Sequence, residues 1–314
     1  MRRAAKHYDP TAEPLIAARA VERSFGPKRA LAGLSLEVRA GEIFGLVGPD
    51  GAGKTTAIRA LAGLIGVHGG EVRILGGDPL LASHVRDELG VMPQQYSLYG
   101  DLSVEENLRF FARMYGLSSR EYRARAPRLL ALTRLAPFTA RRARALSGGM
   151  YKKLALACAL LHEPSALLLD EPTNGVDPVS RRELWELLHE FVAQGMAVVI
   201  STAYMDEAAR CHRVCLMAHG RAIATGSPDQ LVRELEHPVF EVRDGDRFAL
   251  RPRVEAHPGV LAASPTGERL RIVVHRDETG SVEALVARYG ARLQRVAADF
   301  EDLFLVRTTH EAAS

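Results

Sequence analysis

The hydrophobic positions of the chain follow two periodicities that interleave from residue 15 onward. Residues 15–21 and 34–38 read as short strands, the latter alternating apolar and polar side chains as half-buried strands do, whereas 43–47 is apolar throughout and predicts a strand covered on both faces. Glycine-rich residues 48–53 follow, and residues 54–61 then read as a helix, giving strand, glycine loop and helix in succession. Residues 104 to about 145 are expected to be mostly helical, with Leu108, Phe111, Ala112 and Tyr115 at the helical period. Two further apolar runs, 167–169 and 197–200, have the character of buried parallel strands. Between them Leu184, Leu187, Leu188 and Phe191 give residues 181–193 the spacing of an amphipathic crossover helix. The pattern changes near Gly226-Ser227-Pro228. Beyond it lie a short helix at 228–235, strands at 239–242 and 270–274, a helix at 281–289 and a final turn at 300–305, together a small α+β appendix.

Composition narrows the function classes. A chain of 314 residues with 47% hydrophobic and 25% charged content can bury one large core and a second, smaller one. Forty-one Lys and Arg against 38 Asp and Glu leave +3, too little for the field of a dedicated nucleic-acid binder, so no direct nucleic-acid partner is expected. Eight arginines between Arg120 and Arg144 are read as solvated helix faces rather than a binding patch. The densest apolar run, 154–161, is far short of the roughly 20 residues that cross a bilayer. Residues 1–9 are basic without a following apolar stretch, which argues against a secretory leader and for a cytoplasmic address. Three cysteines, Cys158, Cys211 and Cys215, fit a reducing compartment, and the Cys211-His212-x-x-Cys215 spacing lacks a full metal-ligand set.

The chemistry concentrates in Gly48-Pro49-Asp50-Gly51-Ala52-Gly53-Lys54-Thr55-Thr56. This segment satisfies G-x-x-x-x-G-K-[ST] between a strand and a helix. Its glycines let the backbone wrap closely around phosphates, so that N–H groups and the helix N-terminus face the negative charge. Lys54 is then expected to reach the terminal phosphates of ATP and the Thr55 hydroxyl to bind Mg²⁺. Asp170, ending the apolar run 167–169, supplies a carboxylate for the same ion, and Glu171 at the strand tip is the candidate general base for an attacking water.

What separates this chain from other phosphate-loop proteins is Leu146-Ser147-Gly148-Gly149-Met150, upstream of Asp170. With it the chain resembles the nucleotide-binding domain of ABC transporters. Residues 48–55 resemble the Walker A motif, 167–171 the Walker B motif, and 146–150 the signature motif, with Met150 where Gln is commoner. Met92-Pro93-Gln94 resembles the Q-loop, whose Gln touches the metal and senses the membrane partner, with Gln95 as the alternative one residue on. Gly175 to Pro178 resembles the D-loop, and Phe25 stands where the family places an aromatic that stacks on adenine.

The resemblance implies an α/β P-loop NTPase fold of ABC type over residues 14–228, with a mixed sheet core, an antiparallel β subdomain and a helical subdomain at about 96–150. Residues 229–314 form the accessory α+β domain. It further implies two such domains closing head to tail, with Ser147 and the Gly148 and Gly149 amides of one reaching the nucleotide on the P-loop of the other. Transmembrane permease subunits are the implied membrane partners, with the chain peripheral on the cytoplasmic face. Residues 97–108 and 299–305 resemble the bacterial exporter branch, and Gly48 to Gly51 with 201–207 resemble one half of tandem multidrug-export ATPases.

One position departs from the family pattern. A histidine normally follows the strand at 197–201, and this chain has Ala203, whose methyl group can neither donate a hydrogen bond nor hold a water. Slow cleavage at its own site and pairing with a different nucleotide-binding subunit are expected, a weakly active homodimer being the alternative. Two other readings, a soluble ABC protein acting on ribosomes or DNA and a nucleotide-sensing regulator, are set against this one. Neither a second nucleotide domain nor a long coiled-coil insertion supports the former, and intact Glu171 and Gln94 weigh against the latter.

Overall fold

The computed structural model describes residues 11–95, 97–245, 247–266 and 269–312, so the basic stretch at 1–9 lies outside the described residues. The chain divides into two compact units. The first runs to Tyr204 and resumes over Cys211–Ala222; the second comprises Met205–Arg210 and the chain from Ile223 onward.

In chain order the first unit holds β1 (Ile16–Phe25), β2 (Lys28–Val38), β3 (Ile43–Val47), α1 (Lys54–Leu61), β4 (Gly69–Ile74), α2 (Ser83–Asp87) and β5 (Leu89–Met92). It continues with α3 (Val104–Met114), α4 (Ser119–Leu132), α5 (Gly148–Leu160), β6 (Ala166–Asp170), α6 (Pro178–Ala193) and β7 (Ala197–Thr202). After α7 (Met205–Ala208), which belongs to the second unit, come β8 (Arg213–Ala218) and β9 (Arg221–Gly226). The six-stranded sheet has the order β5-β6-β7-β3-β8-β9, and β1, β2 and β4 form a separate antiparallel sheet in the order β2-β1-β4.

The uninterrupted apolar runs sit where both faces are covered. All residues of β3, β6 and β7 are buried, and each of these strands has a neighbour on both sides. Helix α1 packs against β6 and β7 as well as β1, β2 and β4, so one cluster of buried side chains joins both sheets. Strand β7 lies between β6 and β3 with Ser201 opposite both Asp170 and Leu46. The carboxyl ends of the three parallel strands therefore finish level with one another, the usual place for a site in such sheets.

The expectation that 104–145 is mostly helical holds through α3 and α4. Helices α3 and α4 each begin at a serine capping box, Ser103 with Glu106 and Ser118 with Glu121. Helix α4 stops at Leu132 because Arg134 adopts φ 58° and the Leu135 N–H turns back to the Leu130 carbonyl. Residues 136–145 are then turns and two short 3₁₀ segments, since Pro137 cannot donate to a continuing helix. Five of the eight arginines in this region are engaged in ion pairs or on an aromatic face: Arg125 with Glu163, Arg128 with Glu190, Arg134 with Glu183, Arg144 with Asp101, and Arg141 over Phe138.

The second unit contains α7, α8 (Pro228–Arg233), β10 (Val239–Asp244), α9 (Arg247–Glu255), β11 (Val260–Thr266), β12 (Arg269–Val274), α10 (Thr279–Ala287), β13 (Ala291–Val296) and α11 (Phe300–Ala312). From β10 to β13 the order β-α-β-β-α-β with antiparallel sheet order β11-β12-β10-β13 is a split β-α-β arrangement. Leu250, Val254, Val282 and Val286 cover Phe240, Val242 and Ile272, while Val306 of α11 packs with Val239 and Val273. The expected turn at 300–305 is instead the start of a helix that continues to Ala312. Its apolar positions are spaced to dock on the sheet, and Asp299 starts it by accepting the Glu301 and Asp302 N–H groups. Residues 205–210 group with this unit, α7 packing against α11, although the sequence pattern places them in the nucleotide-binding domain.

Candidate functional site

The glycine loop leaves β3 at the level where β6 and β7 end. At Gly48 an added Cβ would lie 2.3 Å from the Met217 carbonyl oxygen. At Gly53, φ is 106° and a Cβ would meet the Ala30 oxygen at 2.5 Å. No other residue fits either place without moving the backbone. Gly53 also leaves the N-terminus of α1 without a side-chain cap or an acidic first turn, so its amides retain capacity for an external anion. Lys54, only 4% exposed, donates from Nζ to the Gly48 and Pro49 carbonyls at 2.8 and 3.0 Å and faces Glu171 Oε1 at 3.6 Å. A buried ammonium held mainly by loop carbonyls can exchange those bonds for phosphate oxygens.

Asp170, 2% exposed, accepts on a single oxygen from Thr55 Oγ1 at 3.1 Å and from Ser201 Oγ at 2.7 Å. The Glu171 N–H donates to the Ser201 Oγ at 2.9 Å. Ser201 thus ties both carboxylate positions together across strands. It was absent from the candidate residues of the sequence, although a buried Ser201-Thr202 pair ending the apolar run of β7 is itself a signal. Glu171 has φ 46°, a strained conformation for a non-glycine residue. Its Oε2 accepts from Gln94 Nε2 at 2.8 Å and from Asn174 Nδ2 at 3.2 Å.

Thr55, Lys54, Asp170, Glu171 and Gln94 therefore converge. Gln94, rather than Gln95, makes the contact. Lys152, on the signature helix α5, donates to the Gln94 carbonyl at 3.1 Å. Burial lowers the Lys152 pKa, against the opposing pull of Asp170 and Glu171. Lys152 and Asn174 were not among the sequence candidates, because nothing local marks either as polar and inward-facing.

The signature residues are elsewhere. Ser147 caps α5 through the Met150 N–H at 3.4 Å, and Ser147 and Gly148 are exposed. Gly149 approaches Ser180 and Asp177, and Gly148 approaches the Gly175 oxygen. Asp177 caps α6 by accepting from Val179 and Ser180, and the Ser180 N–H foremost holds its carboxyl below the usual range. Phe25, 47% exposed at the β1–β2 turn, presents one ring face to the Arg23 guanidinium at 4.8 Å. Asp50, Glu171, Thr173, Asn174, Thr202, Ala203 and Tyr204 line a cavity of about 170 Å³. A groove of about 500 Å³ on another side is bordered by Gln94, Gly148, Lys152 and Asn174. His212, by contrast, is a fold residue: its Nδ1 accepts the Ile43 N–H at 3.0 Å, and burial lowers its pKa. Among the described residues no helix is long and apolar enough to cross a membrane.

Comparison with known proteins agrees with this geometry. Residues 31–174 match the family model described as ABC transporter. Over 294 residues the chain is 40% identical to Nod factor export ATP-binding protein I of Paraburkholderia xenovorans, covering 93% of this chain and 96% of that one. It is 42% identical over 258 residues to the probable multidrug ABC transporter ATP-binding protein YbhF of Escherichia coli, covering 80% of this chain but only 44% of YbhF. Among solved structures, an ATP-binding subunit of an ABC transporter superposes with a TM-score of 0.65 at 32% identity, covering 70% of this chain and 92% of that chain. A dimeric bacterial ABC transporter cassette gives 0.62 at 26%, covering 68% and 98%. The chain therefore belongs to the ATP-binding subunits of the ABC transporter family.

Proposed function

We propose that the chain energises a membrane exporter by binding Mg·ATP at residues 48–56 and cleaving it slowly. The observation that carries this reading is the meeting of Lys54, Thr55, Asp170, Glu171 and Gln94 at the ends of three parallel strands. The fit for magnesium rests on oxygen chemistry: a hydroxyl and a carboxylate 3.1 Å apart, with the Gln94 amide on the adjoining Glu171, suit a hard cation that keeps most of its ligands as water and phosphate. When bound, the ion neutralises charge on the terminal phosphates.

In this reading Lys54 leaves the loop carbonyls for the phosphate chain, and the amides of 48–55 and the α1 N-terminus cradle it. Phe25 stacks on adenine once Arg23 yields its ring face. Glu171 accepts a proton from water as its oxygen attacks the γ-phosphorus and the bond to the ADP oxygen breaks. Ser147 and Gly148, both exposed, and the buried Gly149 beside Asp177 serve the nucleotide of a second subunit. The groove beside Gln94 receives an element of the permease, which also holds the chain at the cytoplasmic face of the membrane.

Where the family has a histidine, the Ala203 methyl group offers no donor to the γ-phosphate, so hydrolysis at this P-loop is slow and a different, competent ATPase is the preferred partner. Export is supported by the names of the two relatives, one a Nod factor exporter subunit and one a probable multidrug subunit. Affinity purification from solubilised membranes tests the reading. Recovery of multi-span subunits with a second ATPase supports it, recovery of the chain alone or with ribosomes sinks it. Glu171→Gln should abolish phosphate release while ATP affinity persists.

A further inference from the structure

Glu171 is held by two amides that differ in kind. Both are exposed, but Gln94 reaches it from beyond β5, whereas Asn174 lies three residues on, within the turn that Glu171 itself begins. Asn174 contacts Glu171 twice: its backbone N–H donates to the Glu171 carbonyl at 3.2 Å, and its Nδ2 to the carboxylate Oε2, also at 3.2 Å. The Val176 N–H closes the same turn onto the Thr173 carbonyl at 3.1 Å. Both amides converge on Oε2. Oε1 faces only the Lys54 ammonium, at 3.6 Å, among the described residues.

The two oxygens of the carboxylate are thereby made unequal. Oε2 is occupied by donors, and Oε1 becomes vacant when Lys54 turns to phosphate. A side chain that pins one oxygen fixes the lone pairs of the other, and Glu171, at φ 46°, needs such support to keep its direction. Gln94 cannot supply that support throughout the cycle if its amide also serves the metal. Asn174 can, since its bonds lie inside one turn. It also borders both the 170 Å³ cavity at Ala203 and the groove at Gln94, so it stands between the reacting centre and the proposed permease contact.

We propose that Asn174 is a positioning residue for ATP hydrolysis, pinning Oε2 of Glu171 so that Oε1 takes the proton of the attacking water. The inference rests on the role given to Glu171 above. The test is single-turnover hydrolysis of γ-labelled ATP by the full chain with its co-purifying subunits, any second ATPase among them carrying a Glu→Gln change at its own general base so that only the site of this chain turns over, protein in excess and followed long enough to resolve a slow rate, alongside equilibrium ATP affinity. Asn174→Ala removes the donor, and the isosteric Asn174→Asp keeps the shape but replaces the donor with a carboxylate. Both are expected to lower the hydrolysis rate constant about tenfold, with ATP affinity unchanged within twofold and Asn174→Asp at least as slow as Asn174→Ala. A purely steric role would leave Asn174→Asp at the wild-type rate, and that result overturns the proposal. So does an Asn174→Ala rate within twofold of wild type. Should Asn174→Ala not fold, the isosteric variant decides alone. A Glu171→Gln protein that still hydrolyses, or a wild-type protein that never does, overturns the parent reading. Inactive Glu171→Gln with an unimpaired Asn174 series overturns this inference only.

Discussion

The two units bury charge in opposite ways. In the nucleotide-binding unit, Lys54 is satisfied by carbonyls of its own loop and sits 3.6 Å from one carboxylate, an arrangement that an arriving phosphate can replace. In the C-terminal unit, Arg271 grips Asp302 through two bonds of 2.8 and 2.7 Å, from Nε and Nη2 to the two carboxylate oxygens. Asp302 in turn accepts the Asp299 N–H, and the Arg271 pKa is raised chiefly by this side-chain bond. A bidentate pair with no exchangeable partner stabilises; a lysine held by neutral carbonyls waits for a ligand. Charge burial alone therefore does not mark a site, and the kind of partner does.

Exchanging the two roles gives the sharpest break. Lys54→Ala should weaken ATP binding by about 4 kcal/mol, near a thousandfold, in calorimetry, while the melting temperature stays close to that of the wild type. Arg271→Ala should do the reverse, destabilising the C-terminal unit by about 3 kcal/mol in denaturant unfolding and leaving ATP affinity of the first unit unchanged. If Arg271→Ala weakened ATP binding instead, the division of roles would fail. Ala203→His fills the 170 Å³ cavity with a donor beside Glu171 and should raise the hydrolysis rate about tenfold, read as phosphate release at saturating ATP. The smallest effect is expected at Arg109→Ala. It breaks an exposed pair with Glu105 one helical turn away, and the small change in unfolding free energy should vanish in high salt.

How much of this was legible beforehand varied by residue. The phosphate loop was, since its glycines and Lys54 act through backbone geometry within eight residues. Asp170 and Glu171 were legible too, because an apolar run ending in two acids is a local pattern. Ser201 escaped because its importance comes from β7 lying between β6 and β3, and Asn174 because a turn asparagine is ordinarily only a turn former. The C-terminal unit was read as small and α+β, yet β11, α9 and β13 were missed. Strands β11 and β13 lack a clear apolar alternation and become regular by pairing with β12 and β10, and α9 mixes arginines and Pro252 into its apolar positions. The mostly helical reading of 104–145 did not specify where the α-helix ends, which Arg134 and Pro137 set.

By itself the sequence determined which loop is proposed to grip phosphate, which strands are buried and which family shares the pattern. Backbone conformation and hydrophobic period are encoded in windows of a few residues. Only the tertiary structure decided that Gln94 and Asn174 meet on one oxygen of Glu171, that Ser201 bridges to Asp170, and that Ala203 opens a cavity there. Those contacts join residues that are mostly 30 to 115 positions apart in the chain, and strand order, which no local pattern specifies, is what brings them together.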